Sequence, residues 1–355
     1  MSAQDRGALV AAALRGAWRE GPPAPTLDAH ALEAISPLLL DAGCGGLAWW
    51  CIRGSGVGDS PAGEQLRDAY RLHALQAAVH ERELVKVVRA LAAFGVEPLI
   101  VKGWAAARLY AQPELRPSGD IDVCVASEQL GAAQAALAEA APTVHVDLQA
   151  GLSVNQRVLP DLPHFEEALA RAVHVRLADV DVPIAAPEDH LALLCVHLLS
   201  HGGWRPLWLC DIAASVEHLP DGFDWGRCLA RSRRLATWVG ATLTLAERLL
   251  GAQPTNAPGD HAGMPRWLEP AILKQWGSPR TAYPDDLIGL PAAAYFRPAL
   301  ALRVVRAHWV NPVSATMFPG AAFNSLPRLP FQLRFVAWKA ARFLRRGFSD
   351  ARRLG

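Results

Sequence analysis

The chain has 355 residues, 51% of them apolar and 19% charged, which is enough hydrophobic material for a sizeable core and excludes a disordered or collagen-like protein. Thirty-five Lys and Arg against 34 Asp and Glu leave a net charge of +1, so no surface-wide attraction to nucleic acid or acidic lipid is built in. Six widely spaced cysteines without a C-x-x-C pair exclude a zinc ribbon and a dense disulfide scaffold and point to reduced thiols.

In chain order, residues 1–92 carry Ala, Leu, Arg and Glu at helical spacing, interrupted by GPPAPT at 21–26 and RGSGVGDSPAG at 53–63. The opening segment lacks the long apolar run of a secretory signal. From Glu64 to Phe94 the recurrence of Leu72, Leu75, Val79, Leu84, Val87 and Leu91 predicts one long helix ending near Gly95, its apolar face packed on the segment after it. Residues 93–185 change character: PLIV (98–101), DIDVCV (120–125), VHVDL (144–148), VHVRL and VDVPI are short β-branched runs separated by helical stretches, the pattern of an α+β core. Residues 186–355 return to helical periodicity. The expected organisation is therefore an N-terminal helical region (1–92), a central core (93–185) and a helical C-terminal region (186–355). The most apolar internal stretch, Leu191 to Leu199, is far shorter than the ~20 residues of a bilayer span. The expectation is a cytoplasmic protein with no membrane span.

The chemistry concentrates in PLIVKGWAAARLYAQPELRPSGDIDVCV, residues 98–125. Asp120 and Asp122 are two apart, so on an extended backbone both carboxylates leave one face while Ile121 and Val123 enter the core. Paired hard oxygen ligands suit Mg²⁺, which is held by one or two carboxylates together with substrate phosphates. Asp147, in VHVDL, shares its face with His145 and Gln149, and three carboxylates converge if its strand neighbours the first. Lys102 and Gly103 follow a strand and precede a helix, where glycine permits close backbone approach and a helix start attracts phosphate. These are the parts of metal-assisted nucleotidyl transfer.

The segment resembles the nucleotidyltransferase superfamily related to DNA polymerase β, and within it an uncharacterised bacterial branch with a KG, LY, RP-x-GDID signature. Lys102, Gly103, Leu109, Tyr110, Arg116, Pro117, Gly119, Asp120, Ile121 and Asp122 carry the match, and the PEDHL helix with its HLLSH run, PLWLCDIA and MFPG at 317–320 extend it over most of the chain. The resemblance implies a polymerase β-like mixed sheet flanked by helices, an NTP donor with ATP foremost, and two Mg²⁺ ions on Asp120, Asp122 and Asp147. It also implies a nucleotide-contacting set of Lys102, Gly103, Arg116 and Ser118. Two departures stand out: Gly103 is followed by Trp104 where the superfamily has Gly or Ser, and Asp147-Leu148 is followed by Gln149-Ala150 rather than His and an aromatic residue.

Several of these residues carry a second reading. Lys102 is either a turn lysine or a phosphate contact, and Arg116 either holds phosphate or ties down the Pro117-Ser118-Gly119 turn through its planar fork. His197 and His201, one helical turn apart, lack the Glu of H-E-x-x-H and read as buried or cleft-lining side chains near the acceptor. Asp211 reads as the partner of an arginine such as Arg205, and Trp204, Trp208 and Trp225 read as one aromatic cluster. Asp161, Asp179 and Asp181 compete with Asp147 for the third acid, but read as loop and hairpin residues. The basic run from Arg328 to Gly355, with seven Arg and one Lys against Asp350, reads as a helix closing the fold and gives no strong nucleic-acid signal. The expected activity is NMP transfer to an acceptor oxygen of an unidentified small molecule, peptide or protein, with pyrophosphate released. Kinase-type phosphoryl transfer and a catalytically silent nucleotide-binding module are the alternatives.

Overall fold

The computed structural model describes residues 1–154, 157–158, 161–229, 231–254, 264–279, 309–317 and 323–338. Helices α1 (Ala3–Ala13), α2 (Ala29–Asp41) and α3 (Gly45–Ile52) precede α4 (Pro61–Ala93). Ser60 caps α4 by accepting from the Gly63 N–H, Pro61 supplies the preset φ of a first helical residue, and Gly95 beyond its end takes φ +68.

The core alternates strands and helices: β1 (Leu99–Ile100), α5 (Gly103–Ala107), β2 (Ile121–Val125), α6 (Leu130–Ala140), β3 (Val146–Ala150), the small pair β4 (Ser153–Val154) and β5 (Arg157–Val158), α7 (Phe165–Ala170), then β6 (Val173–Leu177) and β7 (Val180–Ile184). Five of these strands form one mixed sheet in the order β3-β2-β1-β7-β6. β2 and β3 are parallel, β1 is antiparallel to β2 and parallel to β7, and β6–β7 is a hairpin. The architecture is the expected α+β class, with a five-stranded mixed sheet flanked by helical parts.

The sheet is covered on both faces, and alternation along β2 decides which residues serve which side. Ile121, Val123 and Val125 join Leu84, Val87, Leu91, Ala133 and Ala136 in a cluster between the sheet, α4 and α6. Cys124, with Leu99 and Val101, joins the larger cluster made by α8 (Pro187–Ser200), α9 (Pro206–Glu217) and the helices of the first 60 residues. That larger cluster also takes in α10 (Trp225–Leu229), α11 (Arg233–Leu245) and α12 (Leu268–Trp276). The first and last helical regions thus build one shared core against the sheet.

Three expectations need correction. Leu72, Leu75 and Val79 are exposed, because in the middle of α4, between the two clusters, the buried stripe runs through Leu66, His73, His80 and Leu84 instead. Trp225 pairs with Phe223, away from the Trp204–Trp208 contact. Asp161 is buried against Ser232 and Arg234 rather than solvated, whereas Asp179 and Asp181 are the expected exposed hairpin acids, paired with Arg89 and Arg176. All six cysteines are buried and free. Among the described residues no helix is long and apolar enough to cross a membrane. Of the basic C-terminal run, 329–338 is helical, while 339–355, like 318–320 of the MFPG segment, lies outside the described residues.

Candidate active site

Parallel pairing of β2 with β3 sets Asp122 directly opposite Asp147. Asp120, two residues before Asp122, leaves the same side, and the carboxylate oxygens of Asp120, Asp122 and Asp147 all lie within 4.8 Å of one another. The sheet thus grades the three acids by depth. Asp122 is 9% exposed, the Asp147 side chain is 44% exposed at the sheet edge, and Asp120 is exposed. Gln149, two residues along β3, donates to Asp147 Oδ2 and accepts from the Ser153 hydroxyl at 3.0 Å, which orients the Asp147 carboxylate.

Lys102 joins this cluster from β1. Its Nζ stands 2.5 Å from Asp122 Oδ1 and 3.9 Å from Asp147 Oδ2. Burial opposes the ammonium charge, but the carboxylates of Asp122 and Asp147 outweigh it and hold the Lys102 pKa above its ordinary value. Burial, reinforced by Asp120, pushes the Asp122 pKa up despite that ammonium. The backbone at Lys102 has φ +52, a conformation that costs a non-glycine residue roughly 1–3 kcal/mol and persists only where its surroundings fix it. Here His190 of α8 fixes it, accepting the Lys102 N–H on Nε2 at 2.9 Å. Gly103, next in sequence, sits so close to the acidic turn that a Cβ would lie 3.3 Å from Ser118 Oγ and 3.4 Å from Asp122 Oδ2. Lys102 therefore meets the carboxylates themselves.

The RPSG turn before Asp120 is braced from the helical side. Arg116 grips Asp211 of α9 with both prongs, Nε to Oδ1 at 3.1 Å and Nη2 to Oδ2 at 2.9 Å, and donates from Nη1 to Pro117 O and Ser118 Oγ. Asp211 is fully buried and also accepts from the Tyr110 hydroxyl at 2.7 Å. Burial alone would weaken the guanidinium charge, but Asp211 more than restores it and raises the Arg116 pKa. The partner of Asp211 is thus Arg116 rather than Arg205. Arg205, the extended residue just before α9, donates its Nε to the Ala42 carbonyl instead. From α4, His80 Nε2 meets the Asp120 carbonyl at 2.9 Å.

Helices α8 and α9 form the opposite wall. His197, His201 and Trp208 make mutual ring contacts at 4.5 to 5.1 Å, and Trp204 packs edge-on to Trp208 at 5.3 Å. His197, His201 and Trp208, together with the three acids, Lys102 and Arg205, line a cleft of about 360 Å³. Burial and the nearby Lys102 charge push the His201 pKa down to about 4 and that of His197 well below the ordinary range, so both rings are neutral at neutral pH. A larger hollow of about 930 Å³ opens between the end of α4 and the β6–β7 hairpin, but it holds none of the three acids, so size alone does not mark the site.

Four elements of this arrangement escape a reading by motif: the braces His80 and His190, the role of Tyr110 as a donor to Asp211, and the position of Arg205 on the cleft wall. The only signal for the first two was their burial-prone spacing, Leu66, His73, His80, Leu84 along α4 and the start of α8 after PED. PED itself is structural: Glu188 accepts from the Asp224 N–H and Asp189 pairs with Arg171.

A pairing of acids on adjacent parallel strands, a lysine turn behind them and a helical wall in front agree with what comparison with known proteins finds. A family model described as uncharacterised nucleotidyltransferase matches residues 33–251, from α2 through the sheet to the end of the α11 segment. No curated protein and no solved structure matches the chain. The match covers well over half of the sequence and contains every residue of the cleft, and by it the chain belongs to the uncharacterised nucleotidyltransferase family.

Proposed function

We propose that this protein moves NMP from an NTP, ATP foremost, to an acceptor oxygen of a small molecule, peptide or protein and releases pyrophosphate, using two Mg²⁺ ions held by Asp120, Asp122 and Asp147. The supporting observation is the Asp122–Asp147 register, which with Asp120 brings three carboxylates within 4.8 Å. Three oxygen-only ligands at a cleft, one of them half-exposed, fit a hard cation that shares its remaining positions with phosphate and water. The Lys102 ammonium already lies among these carboxylates, so positive charge is accommodated there.

Bound Mg²⁺ would supply Lewis-acid neutralisation of the α-phosphate and of the pyrophosphate leaving group. Everything else falls to the chain's own residues. Asp120 and Asp122 would hold the nucleotide's metal, and Asp147, on the edge strand β3, would complete that site and take the acceptor hydroxyl proton. Lys102 steadies the buried acid until the metal-nucleotide enters and then contacts the triphosphate beside the Gly103 backbone. Arg116 and Ser118 serve the nucleotide by holding the turn that presents Asp120. Residues 93–185 act as the transferase core, with an N-terminal helical region (1–92) before it and the C-terminal region (186–355) closing the cleft, in a cytoplasmic setting.

The test is one incubation of the full chain with Mg²⁺, NTPs labelled at the α- or γ-phosphate, and a fractionated extract as acceptor pool. α-Label on an acceptor with release of pyrophosphate is expected. Release of ADP with γ-label on the acceptor would convert the reading to a kinase, and no transfer from any fraction would remove it.

A further inference from the structure

Three cations line the cleft, and two are already answered. Lys102 is held by Asp122 and Asp147, and Arg116 by Asp211. Arg205 meets no carboxylate among the described residues. Its Nε donates to the Ala42 carbonyl at 2.8 Å, and its guanidinium lies 5.9 Å from the centre of the Trp208 ring. A half-buried guanidinium without an anion in contact is costly, because its lost hydration is repaid at close range by one neutral carbonyl and a ring face and otherwise only by the more distant Asp211 and Asp120.

The surrounding backbone is shaped to keep it there. Ala42 and Gly43 end the α2 turn, and Gly43 adopts φ +70. A Cβ at Gly43 would stand 2.6 Å from Arg205 Nη2, so only glycine leaves the guanidinium its place. The Ala42 carbonyl takes Nε and leaves the Nη edge, the part of the fork that grips tetrahedral oxyanions in pairs.

We propose that Arg205 is a polyphosphate-binding residue of this cleft, gripping the β- and γ-phosphates that depart as pyrophosphate. This rests on the nucleotidyl-transfer reading for the origin of its ligand, though the anion site itself is independent of turnover. Burial, with repulsion from Arg116, lowers the Arg205 pKa and outweighs the attraction of Asp211 and Asp120, as an under-compensated cation requires. The same assignment relieves Arg116 of phosphate contact, since that guanidinium is spent on Asp211 and the turn. Phosphate is favoured over a carboxylate ligand because the opposing acids would repel any bare anion, and polyphosphate is the anion that arrives with its own Mg²⁺.

The probe is inorganic pyrophosphate with Mg²⁺, titrated calorimetrically into the full chain and into Arg205→Gln and Arg205→Met, two uncharged replacements of which either suffices if the other does not fold. Circular dichroism and melting identify the folded variant. Wild-type binding that weakens at least tenfold in the folded variant is expected, together with a raised KM for NTP and a smaller change in kcat. Unchanged binding in a folded variant, or no pyrophosphate binding by the wild type, overturns the assignment. Failure of the transferase reading appears separately, as absence of α-label transfer by the wild type.

Discussion

Replacing Asp122 with Asn tests the centre of the site because it removes one charge and almost no volume. In the metal-free protein two effects oppose each other. Lys102 is 7% exposed at its side chain and loses the carboxylate 2.5 Å away, keeping only Asp147 at 3.9 Å. Removing one partner of a buried ion pair costs about 3–5 kcal/mol. Against this, the amide oxygen still accepts from the ammonium, and the burial and Asp120 repulsion that push the Asp122 pKa up are relieved. The net expectation is a loss of about 1–3 kcal/mol, or a few degrees in melting temperature. Binding is less ambiguous. With Mg²⁺ and a non-hydrolysable NTP at about 100 times the dissociation constant, the wild type should gain about 2.7 kcal/mol, and the variant much less, because a neutral amide is a poor ligand for a hard cation. Turnover should fall by about a thousandfold or more, equivalent to about 4 kcal/mol in the barrier. Differential scanning fluorimetry with and without Mg²⁺, beside a pyrophosphate-release assay, reads all three quantities. A variant with the wild-type Mg²⁺-dependent shift and turnover within tenfold would refute the carboxylate assignment.

Asp147→Ala should abolish transfer while weakening Mg-NTP binding only modestly, since Asp120 and Asp122 remain; equal losses in binding and turnover, read by titration and single-turnover kinetics, would remove its separate role. Asp211→Leu leaves the Arg116 guanidinium buried without an anion and should cost about 3–5 kcal/mol in urea denaturation, and a cost below about 1 kcal/mol would contradict the brace. Acid should destabilise the fold well above the carboxylate range. The His73, His190 and His201 pKa values are pushed down to about 4, by burial first, so their contribution is complete above about pH 6.5 and is lost as pH falls toward 4. Denaturation midpoints that stay flat from pH 7 to 4.5 would show that these rings are not held neutral.

Short-range patterns make part of this structure legible in the chain itself. Alternation in DIDVCV assigns Asp120 and Asp122 to one face and Ile121 and Val123 to the other, because the period of a strand is fixed by its backbone. The end of α4 is readable from Gly95, whereas its start at Pro61, capped by Ser60, falls inside the 53–63 stretch that its glycines and proline mark as a loop. Which face of α4 is buried is not readable either, since Leu72, Leu75 and Val79 look like a core stripe until the sheet and the first helices pull two different arcs of the helix inward. The pairing of Asp122 with Asp147 depends on strand order, a tertiary fact. Arg116 and Asp211 are 95 residues apart, and no spacing rule distinguishes that partner from Arg205.

The shared core of the first and last helical regions sets an order of events during synthesis. Arg6 of α1 donates to the Gly277 carbonyl, 271 residues away, and the main chain of Gly7 packs directly against Leu273 of α12. At about 5–20 residues per second, α1 waits tens of seconds for the surface it is shaped to meet. Val10, Ala13 and Leu14 therefore begin life as exposed apolar side chains on a nascent chain, although the finished protein buries them. The transferase strands emerge well before α12 does, so the sheet can pair while the N-terminal helices still lack their seat. Chains interrupted before residue 268 would carry a formed sheet beside an unsatisfied N-terminal face, and that face, rather than the sheet, is where chaperone binding and aggregation of truncated products should begin.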